Sequence, residues 1–143
     1  MKGDVKNLYP EIIKAHNANP YHFEKKDLPT SVRAYNPVCG DRFDFFIEWD
    51  SGRIAQLYFH GFGCAISKSS SSIMVKALEG KTLEESIVVC KDFLEYLSPQ
   101  APADENFGQE DFRAFAAVRD FPARYDCATL SWVSVLAYLQ SVQ

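Results

Sequence analysis

The chain has 143 residues and a formal charge of −4; hydrophobic residues make up 47% of it and aromatic residues 14%. That length suits one domain over residues 1-143 with an ordinary apolar core, and the composition speaks against a disordered segment. With no basic face there is no support for nucleic-acid binding, and no apolar run approaches the ~20 residues that cross a bilayer. The N-terminus carries an acid at position 4 and no apolar signal core, so the expectation is a cytosolic protein.

In chain order, Val5 to Asn17 reads as an opening helix, with Leu8, Ile12, Ile13 and His16 at helical spacing and Asn19-Pro20 as its stop. His22 to Pro29 is polar and reads as a loop. Ser31 to Tyr35 is a short strand leading into the turn Asn36-Pro37. Arg42 to Trp49 alternates, with Phe43, Phe45, Ile47 and Trp49 on one face and Asp44, Phe46 and Glu48 on the other. Asp50-Ser51-Gly52 turns the chain, and Arg53 to His60 returns.

Gly61-Phe62-Gly63 breaks that strand, and a helix is predicted from just after Cys64 to Gly80. Thr82-Leu83-Glu84-Glu85 has the capping-box form and opens a helix to about Leu97. Pro99 to Gly108 reads as a surface connection. Glu110 to Arg119 is predicted as a short helix ended by Phe121-Pro122, and Ala128 to Leu139 as the last helix, with Leu130, Val133, Leu136 and Ala137 on its inner face. Strands followed only by helices predict an α+β domain, a small antiparallel sheet of about three strands with helices packed on one face.

There are four cysteines and no CxxC pair, so spacing alone says little. In a reducing compartment such thiols are ligands, nucleophiles or core residues rather than disulfides. Cys39 and Asp41 are two apart, so an extended segment points both the same way, and Gly40 lets the backbone bend between them. Cys64 follows Gly-x-Gly at a helix start, where free amides and the helix dipole favour a thiolate, and Cys127 is expected in the same kind of place. Cys39, Asp41, Cys64 and Cys127 thus form a candidate tetrahedral site for zinc or iron, with Arg124 near enough to offset its negative charge. Cys90, inside Ile87-Val88-Val89-Cys90, reads as plain core. His16, His22 and His60 read as satisfied side chains, and Ser69 to Ser72 as small residues that allow close packing.

Three stretches carry a resemblance. Asn36-Pro37-Val38-Cys39-Gly40-Asp41, Gly61-Phe62-Gly63-Cys64-Ala65-Ile66-Ser67 and Cys127-Ala128-Thr129-Leu130 resemble the cysteine motifs of the IscU/SufU (NifU N-terminal) family of iron–sulfur cluster assembly proteins. The likeness runs from about Leu8 to Leu139. It implies a compact α+β fold, a three-cysteine site completed by Asp or His, and a cysteine desulfurase partner (SufS/IscS-type) that delivers persulfide sulfur.

Within the family the chain is more similar to the SufU branch. Cys64 and Cys127 stand 63 residues apart, longer than in the IscU branch, and the extra segment falls around Ser98 to Gly108. Phe121-Pro122-Ala123-Arg124 resembles the SufU pattern, whereas the proline-rich chaperone motif and the His before the last cysteine of the IscU branch are missing. Asp126 stands where SufU proteins tend to carry Lys and IscU proteins His, so it either competes with Asp41 for a metal or is merely exposed.

The resemblance implies a zinc-bound sulfur acceptor. Cys39 is expected to take the persulfide, because Gly40 beside it leaves it on the most mobile of the three ligand segments, and the resemblance to the IscU branch makes Cys127 the runner-up. The alternative is a scaffold for a labile 2Fe–2S cluster at the same residues, passed on to apo-proteins. A structural zinc-binding domain is the third reading, disfavoured because closed structural sites seldom use Asp beside three cysteines.

Overall fold

The computed structural model describes residues 11–98 and 110–143. The elements are α1 (Glu11–Ala18), β1 (Thr30–Tyr35), β2 (Arg42–Asp50), β3 (Arg53–Phe62), α2 (Ala65–Leu78), α3 (Leu83–Leu97), α4 (Glu110–Arg113), a 3-10 helix (Ala116–Asp120) and α5 (Pro122–Ser141). The α+β expectation holds. Val5 to Pro10 of the predicted first helix and the Pro99 to Gly108 connection lie outside the described residues.

The three strands form one antiparallel sheet in the order β1-β2-β3. Alternation decides its faces: Ala34, Phe43, Phe45, Ile47, Leu57 and Phe59 are buried, and their strand neighbours are not. The β2–β3 loop is two residues, Ser51 and Gly52, both at positive φ (54° and 78°), which matches the right-handed twist of the strands it joins. A bulge at Glu48/Trp49 turns Trp49 so that its indole N–H donates to the Tyr138 hydroxyl at 2.8 Å. On the edge of β3, Phe59 donates to the His22 carbonyl and Glu24 donates to the Phe59 carbonyl. The polar segment after α1 therefore covers an edge that would otherwise invite pairing.

Helices α2 and α5 lie on the inner face, α1 packs on α2, and α3 packs on α5. The α2–α5 contact is close because α2 presents serines. Ser70 donates to the Ala128 carbonyl (2.5 Å) and accepts the Trp132 indole N–H (2.9 Å), and the Ser71 and Ser131 hydroxyls meet at 2.6 Å. Small hydroxyls let two backbones approach while Ser70, Ser71 and Ser131 each keep a hydrogen-bond partner. Trp132 stacks on Phe93 at 4.0 Å and meets Phe112 edge-on, tying α3, α4 and α5 into one core.

Two expectations about the C-terminal third are corrected. Glu110 to Arg119 is not one helix but α4 followed by the 3-10 helix. Phe112, Phe115 and Val118 are all buried and are linked by i→i−3 bonds, so a threefold spacing of apolar residues suits the tighter helix. Helix α5 starts at Pro122, six residues before the predicted Ala128: Pro122 opens it because proline at a first helical position lacks only an N–H that would be unpaired there. Its inner face is Ala128, Ser131, Trp132, Val135 and Leu139, while Val133 is 52% exposed, Ala137 is exposed, and Leu130 and Leu136 are half-buried. Among the described residues, no helix is long and apolar enough to cross a membrane.

Candidate metal centre

The site sits where β2 starts, β3 ends and α2 and α5 begin. Arg42 pairs with Phe62 there, at the end of the hairpin away from its turn. The loop before β2 is tied to itself: Asn36 donates to the Asp41 carbonyl (2.9 Å), Gly40 donates to the Asn36 carbonyl (2.7 Å), and Val38 donates to the Asn36 side chain. Gly40 takes φ +80, the left-handed turn that a side chain would strain. Cys39 is held at the exposed tip of this loop and Asp41 at its buried base.

Asp41 is 5% exposed. One carboxylate oxygen accepts the Cys64 N–H at 3.3 Å, and the other is buried with no hydrogen-bond partner. Gly63 makes room for it: a Cβ there would stand 3.0 Å from that carboxylate, 2.9 Å from the Phe43 ring and 2.4 Å from the Ser67 hydroxyl. Cys64 caps α2, its sulfur accepting the Ser67 N–H at 3.5 Å with the Ser67 hydroxyl 3.6 Å away. The expected helix-start position of Cys64 is thus observed.

Cys127 is elsewhere than expected. It lies in the second turn of α5 and is 6% exposed, because the helix begins at Pro122. No helix-end amides favour its thiolate. Burial, then the charge and hydrogen bond of Cys64 and the charges of Asp41 and Cys39, push its thiol up to about 12. Cys90 is also pushed up to about 12, by burial alone, and sits fully enclosed in α3 as the core residue expected.

The sulfurs of Cys39 and Cys127 and a carboxylate oxygen of Asp41 lie within 4.8 Å of one another. Cys64 is outside that grouping but lines the same open pocket of about 530 Å³, with Gly40, Phe62, Gly63 and Arg124. Asp126 is exposed and borders a smaller adjoining hollow. His16 pairs with Ser72, His22 with the Leu57 carbonyl, and His60 stacks on Phe23, so none of the three joins the cysteines.

The donor set fits a thiophilic cation. A buried carboxylate oxygen without a partner, beside thiols that repel one another's charge, is a costly arrangement that a cation relieves. Two features escaped the sequence reading. Ser67 was not singled out, although Cys64-x-x-Ser67 has the spacing of a helix cap and its third residue. Phe62 is 59% exposed on the pocket rim with Arg42 over its ring, a placement that neither the strand break nor the motif it belongs to signals.

Comparison with known proteins agrees with this geometry. The NifU-like N terminal domain model matches residues 8–128. Over 90% of its length the chain is 34% identical to the iron–sulfur cluster assembly scaffold protein IscU of Streptococcus pyogenes, covering 80% of that protein. Over the same share it is 33% identical to the zinc-dependent sulfurtransferase SufU of Bacillus subtilis, covering 87% of it. The crystal structure of SufU from Fervidobacterium islandicum, described as a cluster assembly scaffold for the SUF system, superposes with a TM-score of 0.80 at 26% identity, covering 94% of this chain and 98% of that one. The chain belongs to the NifU-like N-terminal domain family, the iron–sulfur cluster assembly proteins of the IscU and SufU kind.

Proposed function

We propose that this protein is a zinc-holding acceptor of persulfide sulfur from a cysteine desulfurase, acting in the cytoplasm, where its four free thiols stay reduced. The observation that carries the reading is the pairing of an exposed thiol, Cys39, with a buried, half-unpartnered carboxylate, Asp41, and a buried thiol, Cys127, within 4.8 Å. Cys39, Asp41, Cys64 and Cys127 would hold the ion. Bound zinc would keep the thiols deprotonated. The likeness to a zinc-dependent sulfurtransferase supports this metal.

Cys39 is the acceptor because it alone of the three is exposed; Cys127 is buried and Cys64 is half-buried against its helix. Its thiolate attacks the outer sulfur of the desulfurase persulfide. The new S–S bond forms on Cys39, the donor S–S bond breaks, and the desulfurase cysteine leaves as thiolate. Sulfur moves without net oxidation. Arg124, on the pocket wall, supplies positive charge beside the incoming anion. The same four residues would suit a 2Fe–2S cluster on its way to apo-proteins, a second reading favoured by the likeness to an IscU scaffold.

Incubation with a SufS- or IscS-type desulfurase and cysteine is expected to add one sulfur to the Cys39 peptide and to raise desulfurase turnover severalfold. Mass spectrometry reads the first and alanine release the second. No added sulfur on any cysteine, with turnover unchanged, would sink the acceptor reading and leave the scaffold ahead.

A further inference from the structure

Ser67, in the first turn of α2, is 1% exposed and meets Cys64 three times. Its backbone N–H donates to the Cys64 sulfur at 3.5 Å, and its hydroxyl donates to the Cys64 carbonyl at 3.1 Å. The Cys64 thiol in turn donates to that hydroxyl at 3.6 Å. The Cys64 carbonyl has a second partner, the Lys68 N–H at 3.0 Å. Gly63 admits the hydroxyl, since a Cβ there would stand 2.4 Å from it. Among the described residues, Cys64 is the one ligand cysteine whose sulfur takes a backbone N–H and faces a hydroxyl.

These contacts suit a thiol, and one rotation makes them suit a thiolate. A hydroxyl has a single proton and turns about its C–O bond. With the sulfur protonated, the S–H goes to Ser67 and the Ser67 proton goes to the carbonyl. As a metal ligand Cys64 has no proton to give, so the Ser67 hydroxyl can turn toward the sulfur. The carbonyl it leaves keeps the Lys68 N–H, and the turn orphans no acceptor. The sulfur then takes two donors from one residue, which fix its orientation.

We propose that Ser67 is the positioning residue of Cys64, holding its sulfur by hydroxyl and N–H as the fixed, unreactive ligand of the centre. The inference rests on the reading of Cys64 as a metal ligand. A hydrogen bond draws electron density from a charged sulfur and lowers its reactivity toward electrophiles. Cys39, exposed at its loop tip, keeps the reactivity that Cys64 loses. Sulfur transfer is thereby steered to one thiolate of the set.

The test loads the metal-free full chain with cobalt(II), whose thiolate charge-transfer bands report on the sulfurs. It compares wild type with Ser67→Ala, Ser69→Ala and Cys64→Ala. Ser67→Ala keeps the backbone N–H and deletes only the hydroxyl. Electron density leaves sulfur in this transition, so losing a donor on sulfur should move a band to longer wavelength. In the zinc-loaded proteins, iodoacetamide with peptide mass spectrometry should find Cys39 alkylated first in wild type. Ser67→Ala should speed Cys64 alkylation about tenfold, the scale of one hydrogen bond to a charged group, and leave the Cys39 rate unchanged.

Ser69 is the structural control. It too is buried in α2 and donates to a carbonyl one turn back, that of Ala65 at 2.6 Å. Ser69→Ala deletes an equal group and should shift neither the bands nor the Cys64 rate. Unshifted bands with an unchanged Cys64 rate in Ser67→Ala, or equal changes in Ser69→Ala, overturn the inference alone. A cobalt spectrum that Cys64→Ala leaves as in wild type overturns the reading of Cys64 as a ligand, and the inference with it.

Discussion

Trp132→Ala is expected to destabilise the fold by about 3–5 kcal/mol, the usual cost of deleting a buried large aromatic. For a domain of this size that lowers the melting temperature by roughly 10 °C. Trp132 is fully buried, stacked on Phe93 at 4.0 Å, edge-on to Phe112, and hydrogen-bonded to Ser70. Truncation removes those contacts and takes the indole donor away from Ser70, which still donates to the Ala128 carbonyl. The joint between α2 and α5 loosens, and that joint sets the distance between Cys64 and Cys127. Denaturant unfolding checks the figure. A loss below about 1 kcal/mol would mean that α3 and α5 do not depend on this contact.

Removing any one thiol ligand should weaken zinc binding on the order of a hundredfold. Structural zinc sites bind with roughly 10–16 kcal/mol, so one ligand of four is worth about 3 kcal/mol, and 1.4 kcal/mol is a factor of ten. Cys39→Ala, Cys64→Ala and Cys127→Ala share that expectation, although Cys64 lies outside the 4.8 Å grouping of the other donors. Asp41→Ala should weaken binding less and speed ligand exchange, since a carboxylate is the most easily displaced of the set. Cys90→Ala should leave zinc affinity unchanged, because Cys90 is enclosed in α3 away from the pocket. Asp126→Ala should also leave it unchanged. Competition with a chelator of known affinity reads all six. Loss of zinc from Cys90→Ala, or from Asp126→Ala with Asp41→Ala unaffected, would mean the ligands are wrongly assigned.

Local signals in the sequence account for most of the fold. The alternation from Phe43 to Ile47 placed β2 with its faces, Asp50-Ser51-Gly52 placed the hairpin, and the Thr82 capping box is present, with Glu85 and Thr82 each bonded to the other's backbone. All three signals act within a few residues, so packing has little room to override them. The start of the last helix is not legible locally, for the opposite reason. Phe121-Pro122 reads as a stop, and only the 3-10 helix that delivers the chain from Val118 makes it a start. Its inner face is hidden as well, because Leu130, Val133, Leu136 and Ala137 are as apolar as the residues that are buried. Tertiary contact chose the row through Trp132, which needed Ser70 for its indole N–H.

For the site, motif and geometry contributed different things. The neighbours of Cys39, Cys64 and Cys127 marked these residues out from Cys90. Their meeting depends on long-range packing: the pairing of Arg42 with Phe62 brings two loops together, and the serine-lined contact of α2 with α5 brings the third. The burial of Asp41 and exposure of Asp126 follow from the same packing, because a carboxylate looks alike in either setting until the walls are in place.

Metal analysis with a visible spectrum on protein purified without oxygen separates a zinc-held acceptor from a cluster scaffold. A single zinc per chain and no visible bands are expected, with the zinc retained by Cys90→Ala. Thiolate-to-iron charge-transfer bands with iron and sulfide in place of zinc would contradict the acceptor reading and identify the site as a cluster scaffold.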